Sequence, residues 1–336
     1  MLDRVELLKR LGDGRFHSGE RLAHQLGVSR GAIWKALKKM TQDFGLDVQS
    51  VRGRGYRLEI PIDFLDADKI QTALKPATRS RLSAIEVHTS LNSTNHHLYE
   101  LARQGAQNGH VVMAEHQQAG RGRRGRIWVS PFAQNIYLSL LWRFDFALAR
   151  LSGLSLMVAI TVARALHRVA GIEPQLKWPN DIQFQGRKLS GNLLEVQGES
   201  DGPCAVVMGI GVNVSMPATA AEAIDQPWID LSSASNRRIS RNSLSAAILD
   251  ELVMGLSAFS ESGLKTFMPD WQRWDGIRGQ SVRLIFEDHE IEGQAEGIDE
   301  QGALLLRNRN GLRRYHIGEV SLRGVKSLNP EFERIQ

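Results

Sequence analysis

The sequence predicts an α+β chain of three modules: a winged helix-turn-helix over residues 1–63, a mixed α/β body over 64–275, and a small all-β barrel over 276–330. Three observations carry that expectation. In the first 60 residues, apolar side chains at helical spacing give way to two strand-like runs around a basic glycine tip. From residue 64 onward, strand-like and helix-like stretches mix without a regular β-α-β repeat. After Trp274 the texture is one of short strands divided by turn signals.

Residues 2–12 (LDRVELLKRLG) space their apolar side chains as a helix does, with Gly12 as a stop. Ser18 reads as the N-cap of a second helix. The run Ser18 to Met40 holds two helical patterns broken at Leu26-Gly27-Val28, with Ser29 capping the second, which is the layout of a helix-turn-helix. The second of these helices carries Ser29, Arg30, Trp34, Lys35, Lys38 and Lys39. Residues 46–51 and 55–60 read as a hairpin whose tip, Arg52-Gly53-Arg54, places two cations where a wing meets phosphates. The competing reading is a protein-binding helical hairpin with solvated lysines. Pro61 closes the module. In the body, 85–88, 110–114, 135–142, 189–196 and 205–214 read as strands, and 94–103, 151–170 and 240–262 as helices. The barrel is read from 280–326, with turns at Glu287-Asp288, Asp299–Gly302 and Asn308–Gly311.

Composition bounds the function classes. With 336 residues, 42% of them hydrophobic and 24% charged, the chain has the make-up of a multidomain globular protein. Residues 1–60 hold 12 Lys+Arg against 7 Asp+Glu, a balance of +5 that equals the +5 of the whole chain (42 against 37). A basic terminal module on a neutral body suits a polyanion. The single cysteine, Cys204, precludes an intrachain disulfide and suits a reducing compartment, the cytoplasm. No apolar run approaches the roughly 18–20 residues of a membrane span, and the charged N-terminus is unlike a signal peptide.

Two segments carry chemistry. Gly120–Arg126 (GRGRRGR) combines glycines, which let the backbone wrap a ligand, with arginines, which offer charge and forked donors. It reads as a loop for a small anion; the rival, an RGG-like nucleic-acid stretch, fits less well because the run is single and lies between apparent strands. The second is Lys177-Trp178-Pro179-Asn180-Asp181 followed by Arg187-Lys188-Leu189-Ser190-Gly191. Here a rigid packed turn presents oxygen ligands, and Lys188 opens a strand from which its ammonium reaches into a cleft. Asp181 near phosphates suits Mg²⁺. There is no GxxxxGK[ST] phosphate loop, no GxGxxG fingerprint and no GxSxG elbow. The histidines are scattered along the sequence, so no zinc cluster is expected, and the His96-His97 pair reads as solvated or packed.

Ser93-Thr94-Asn95, Gln117-Gln118-Ala119 with the arginine loop, KWPND and RKLSG occur in an order that resembles the bacterial biotin–protein ligases. The winged helix and the barrel resemble the bifunctional form of that family, which doubles as the biotin operon repressor. The likeness runs from about residue 4 to about residue 328. It implies a catalytic domain related to class II synthetases and lipoate ligases and an SH3-like C-terminal barrel. It also implies ATP and Mg²⁺ as co-substrate and activator, and biotin as substrate. Biotinyl-5′-AMP would be both intermediate and corepressor. Biotin would be held by Ser93, Thr94, Asn95, Gln117, Arg121, Gly122, Arg123, Lys188 and Gly191, with Lys188, Arg123 and Arg121 catalytic. The nucleotide would meet Trp128, Asn180, Asn213, Trp228 and Arg323, with Mg²⁺ at Asp181. Ser29, Arg30, Trp34, Lys35, Lys38, Arg52 and Arg54 would face operator DNA. The implied partners are the biotin carboxyl carrier protein of acetyl-CoA carboxylase, operator DNA and a second copy of the chain when the adenylate is bound, with no membrane. The sequence departs from the family form at His96, where that form has glutamine, and at Trp34, where it has asparagine. The competing functions are a lipoate–protein ligase, a ligand-sensing repressor without ligase activity, and a ligase without DNA binding.

Overall fold

The computed structural model describes residues 4–199, 201–217, 220, 222–286, 289–316 and 321–324. The first module is three helices and a hairpin: α1 (Arg4–Leu11), α2 (Gly19–Gln25), α3 (Arg30–Phe44), β1 (Val48–Val51) and β2 (Gly55–Leu58). Both expected caps form. Ser18 Oγ accepts from the Arg21 N–H and Ser29 Oγ from the Ala32 N–H, each satisfying a donor the helix leaves open. Helix α3 buries Ile33, Ala36, Leu37 and Met40 on one stripe, which turns Arg30, Trp34, Lys35 and Lys38 outward. The antiparallel β1–β2 hairpin carries Arg52 and Arg54 on its exposed tip.

The link to the body is tied down. Asp63 accepts from Ser240 Oγ, the Arg241 N–H and Asn242 Nδ2, all at the start of the long helix Arg241–Ser262. In turn, Arg241 pairs with the buried Glu115 at 2.7 Å and donates to the Asn135 carbonyl. Phe132 and Ala133 of the body complete the core of the first module, with Phe44 stacked on Phe132 at 4.2 Å between ring centroids.

The body is built on a seven-stranded sheet of order β3-β4-β5-β9-β8-β7-β6. Its strands are β3 (Ala84–His88), β4 (His110–Ala114), β5 (Ile136–Phe144), β6 (Gln175–Lys177), β7 (Asp181–Phe184), β8 (Arg187–Gly198) and β9 (Cys204–Val212), and its first helices are α4 (Ala67–Ala73), α5 (Pro76–Arg79), α6 (Thr94–Arg103) and α7 (Leu154–Ala170). Only β3 and β4 pair in parallel; the remaining neighbours are antiparallel. Strand alternation sorts the two faces. Ile136, Leu138 and Leu140 of β5 and Val206, Met208 and Ile210 of β9 join the main core with α7 (Leu154–Ala170) and the helix Arg241–Ser262. Ser139 and Leu141 of β5 and Val207 and Gly209 of β9 face the other way, toward α6 (Thr94–Arg103).

Two helical stretches, Leu148–Ala170 and Arg241–Ser262, are long and apolar enough to cross a membrane by length and composition. Both contribute most of their apolar side chains to the main core, which accounts for their composition. The last module is a five-stranded antiparallel sheet of order β13-β12-β11-β10-β14, formed by β10 (Ser281–Ile285), β11 (Glu290–Ile298), β12 (Leu304–Asn308), β13 (Gly311–Tyr315) and β14 (Ser321–Gly324). Its apolar side chains are continuous with the main core. Trp178, buried in the KWPND turn and joined to Pro179 by a cis peptide, donates its indole N–H to the Gly302 carbonyl at 3.0 Å and fastens the two modules.

Candidate active site

A cavity of about 920 Å³ opens on the α6 side of the large sheet. Its floor consists of strand positions that carry little or no side chain. A Cβ at Gly209 would stand 2.3 Å from Asn95 Oδ1, and one at Gly211 would stand 2.4 Å from Trp128 Cε2. Glycines at two successive positions on one face of β9 therefore let polar and aromatic groups lie on the backbone itself.

One end of the cavity is neutral and densely hydrogen-bonded. Ser93 caps α6, so the helix begins at the cavity wall. The Thr94 N–H and hydroxyl both donate to Gln117 Oε1, at 2.9 and 3.2 Å, and Gln117 Nε2 donates to Ser130. Asn95 Nδ2 donates to the Leu193 carbonyl and to Glu195, while the Ser139 hydroxyl lies 2.8 Å from Asn95 Oδ1 and 2.9 Å from Thr94 Oγ1. Each amide and hydroxyl is thus oriented before any ligand arrives. A neutral ring with both donors and acceptors is what such a wall recognises.

The other end is cationic. Lys188 Nζ lies 2.9 Å from Asp181 Oδ1 and 5.5 Å from the centre of the Trp128 ring. Arg121 pairs with Glu195 at 3.3 Å, and Arg123 reaches Asn180 Oδ1 at 3.5 Å. Burial, and then the neighbouring Arg124 charge, hold the Arg123 guanidinium below its ordinary pKa; the Asp181 carboxylate opposes this only in part. Positive charge is therefore undercompensated here, and an anion relieves it. Trp128 stands between the two ends, its Nε1 buried without a hydrogen-bond partner among the described residues. Gln280 and Ile277, from the start of the last module, complete the wall.

The cavity gathers Ser93, Thr94, Asn95, Gln117, Arg121, Gly122, Arg123, Lys188, Gly191, Trp128, Asn180 and Asp181, whose sequence separations reach 98 positions. Two expected nucleotide residues stand elsewhere. Asn213 is buried, with its side chain on the Ile229 carbonyl. Trp228 pairs through its backbone with Lys188, so the loop before it, including Asp225 and Pro227, is what lines the cavity. Arg323 lies on β14 opposite Arg283, and its side chain is outside the described residues. His96 is exposed and away from the wall. Asp181 Oδ1 holds Lys188 Nζ at 2.9 Å, and its carboxylate lies on the cavity wall, where Mg²⁺ would enter as part of the MgATP substrate. Sequence reasoning missed Ser139, Glu195, Gly209 and Gly211. The alternating glycines of MGIGV were the one local signal available.

Residues 87–213 match the biotin/lipoate A/B protein ligase family, residues 278–323 the biotin protein ligase C-terminal domain, and residues 4–57 an HTH domain. The bifunctional ligase/repressor BirA of Salmonella typhimurium is 39% identical over 322 residues, covering 96% of this chain and 98% of that one. The chain belongs to the biotin protein ligase family. Its BirA relative in Bacillus subtilis is 32% identical over 321 residues, covering 95% of this chain and 98% of its own. Among solved structures, the biotin protein ligase of Aquifex aeolicus in complex with biotin and ATP superposes with a TM-score of 0.63 at 28% identity, over 73% of this chain and all of that one. Both full-length BirA relatives thus span the helix-turn-helix module as well as the ligase body, while the Aquifex chain matches a smaller share.

Proposed function

We propose that this chain is an ATP-dependent biotin–protein ligase and that its adenylate-bound form represses transcription. The observation that carries the ligase reading is the two-ended cavity, with an oriented neutral wall at one end, an undercompensated cationic wall at the other, and an aromatic ring between them. Biotin's ureido ring meets Ser93, Thr94, Asn95 and Gln117, which directs its carboxylate toward Lys188, Arg121 and Arg123. MgATP lays its adenine along Trp128 and brings its α-phosphate to the same cations. Two anions are thereby held in line at low cost. A carboxylate oxygen attacks the α-phosphorus, the bond to the β-phosphate oxygen breaks, and pyrophosphate leaves. Lys188 stabilises the charge that builds on the phosphoryl and carbonyl oxygens. Asp181 positions Lys188. The amine of an acceptor lysine, on a biotin carboxyl carrier protein, then attacks the carbonyl carbon of the adenylate, loses a proton and expels AMP.

The repressor reading rests on the outward face of α3 and the wing. Arg30, Lys35 and Lys38 share an exposed face with Trp34, over whose ring Lys38 Nζ lies at 5.4 Å, and Arg52 and Arg54 stand at the wing tip. Ser29 serves the face by capping it. Two copies joined by adenylate binding would present two such faces to a two-fold operator.

The test is incubation with biotin, MgATP and a carrier domain, read by intact mass, with lipoate in parallel. Gain of one biotinyl group on the carrier is expected; gain of lipoyl alone, or of neither, overturns the ligase reading. Operator binding with and without biotin and MgATP tests the repressor reading, which fails if affinity is the same in both.

A further inference from the structure

Histidines that are scattered in the sequence converge at the free edge of the large sheet. Glu86 and His88 alternate along β3 and so share a face, and the parallel register sets His110 of β4 opposite Ala84 on that same face. His97 comes down onto them from α6. Glu86 Oε2 lies 3.0 Å from His88 Nε2 and Glu86 Oε1 lies 2.8 Å from His110 Nε2. The rings of His88 and His97 stand edge to face at 5.0 Å. One ligand atom from each of Glu86, His88 and His97 falls within 4.8 Å of the others. The ligase mechanism uses none of these groups.

Their chemistry points to one class of ligand. Glu86, His88 and His97 present one carboxylate and two imidazoles on a single patch, with His110 against the second carboxylate oxygen. Two imidazoles and a carboxylate suit a borderline ion such as zinc, whereas Mg²⁺ and Ca²⁺ want oxygen. At metal–ligand distances of roughly 2.0–2.2 Å, tetrahedral ligand atoms stand roughly 3.3–3.6 Å apart. The ligand atoms of Glu86, His88 and His97 lie within 4.8 Å of one another, near that spacing, and a metal ion would take the place of the proton shared by Glu86 and His88.

We propose that Glu86, His88 and His97 bind one divalent transition-metal ion of the zinc type. His110 orients the carboxylate through its second oxygen, as partners behind metal ligands commonly do. Such an ion joins the end of β3 to the first turns of α6, and the segment between them delivers Ser93, Thr94 and Asn95 to the cavity. It is a structural clamp beneath the biotin wall and takes no part in the chemistry.

The test uses the full-length, untagged chain, stripped with chelator and then titrated with Zn²⁺ alone by calorimetry. Metal content after gel filtration is read by elemental mass spectrometry. One equivalent is expected to be retained, to raise the melting temperature, and to resist competition by excess Mg²⁺. Co²⁺ in its place should give the visible absorption bands of a low-coordinate site. His88→Ala with His97→Ala should abolish retention, and His110→Ala should weaken it about tenfold. Should the double variant fold poorly, His97→Asn alone, verified by circular dichroism, must lose the Co²⁺ bands. Absence of stoichiometric binding in the wild type, or equal binding in folded variants of His88 or His97, overturns the proposal.

Discussion

Replacing Gly209 with alanine plants a methyl group 2.3 Å from Asn95 Oδ1, where ordinary contact begins about 1 Å further out. The β9 backbone cannot yield, because it is hydrogen-bonded on both sides, to β5 and β8. The Asn95 amide must therefore move. It is held by a bond to the Leu193 carbonyl, a charge-assisted bond to Glu195 and the Ser139 hydroxyl. Losing the Ser139 contact and one other costs roughly 2–4 kcal/mol, taking about 1 kcal/mol for a neutral bond and about 1.5–3 for one to a charged group. Part of that appears as lower stability. The rest appears as misplaced partners for biotin, whose affinity should fall by about 1–3 kcal/mol, or about 5- to 150-fold. Isothermal titration with biotin alone isolates this effect, and a urea melt separates it from stability. A folded Gly209→Ala protein with wild-type biotin affinity would refute the assignment of Asn95 to the biotin wall.

The companion change, Gly211→Ala, displaces Trp128 and should raise the KM for ATP about 5- to 150-fold, from the roughly 1–3 kcal/mol of a lost base–aromatic stack, while biotin binding holds; pyrophosphate exchange at varied ATP reads this, and equal loss for both substrates would count against it. Lys188→Ala should slow adenylate formation about 10²- to 10³-fold, the usual cost of one transition-state donor, in single-turnover assays; a wild-type rate would remove Lys188 from the chemistry. Removing either member of the buried Arg241–Glu115 pair strands a charge, so Arg241→Ala should lose about 3–5 kcal/mol by denaturant unfolding, whereas a loss below about 1 kcal/mol would mean the pair is not buried in solution. Burial holds the His116 imidazole below its ordinary pKa. The unfolded chain then binds more protons in acid than the folded chain does, so stability that is fully present above about pH 6.5 declines as pH falls below it. His116→Leu should flatten that decline, and an unchanged slope would point to other groups.

The large-scale architecture was legible because its signals are local. Ser18 and Ser29 cap helices wherever the rest of the chain goes, and the basic hairpin tip is defined within ten residues. The ligand loop and the turns around Trp178 and Lys188 were visible as compositions no ordinary loop has, and twelve of the expected ligand residues do meet in one cavity. What local patterns could not give was adjacency across the sheet. Ser139 sits inside the apolar run IYLSLLW and reads as an anomaly until β5 is placed beneath α6. Glu86 and His110 become neighbours only because β3 and β4 are parallel in one particular register. Asn213 and Trp228 carry the right residue types, but one is spent inside the fold and the other meets Lys188 through its backbone. The strand-like texture after Trp274 was read correctly, while the indole bond from Trp178 to Gly302 is a long-range contact with no sequence signature.

The stacking of Phe44 on Phe132 places the end of α3 only four residues along the chain from Trp128. Because Phe132 and Ala133 are core residues of the first module, that module is not a detachable accessory. A chain shortened to begin at Asp63 would leave Phe132 facing water and free the segment that carries the aromatic wall of the cavity. Truncation should therefore lower nucleotide affinity along with DNA binding, and a substitution at Phe44 or Phe132 should disturb both modules at once.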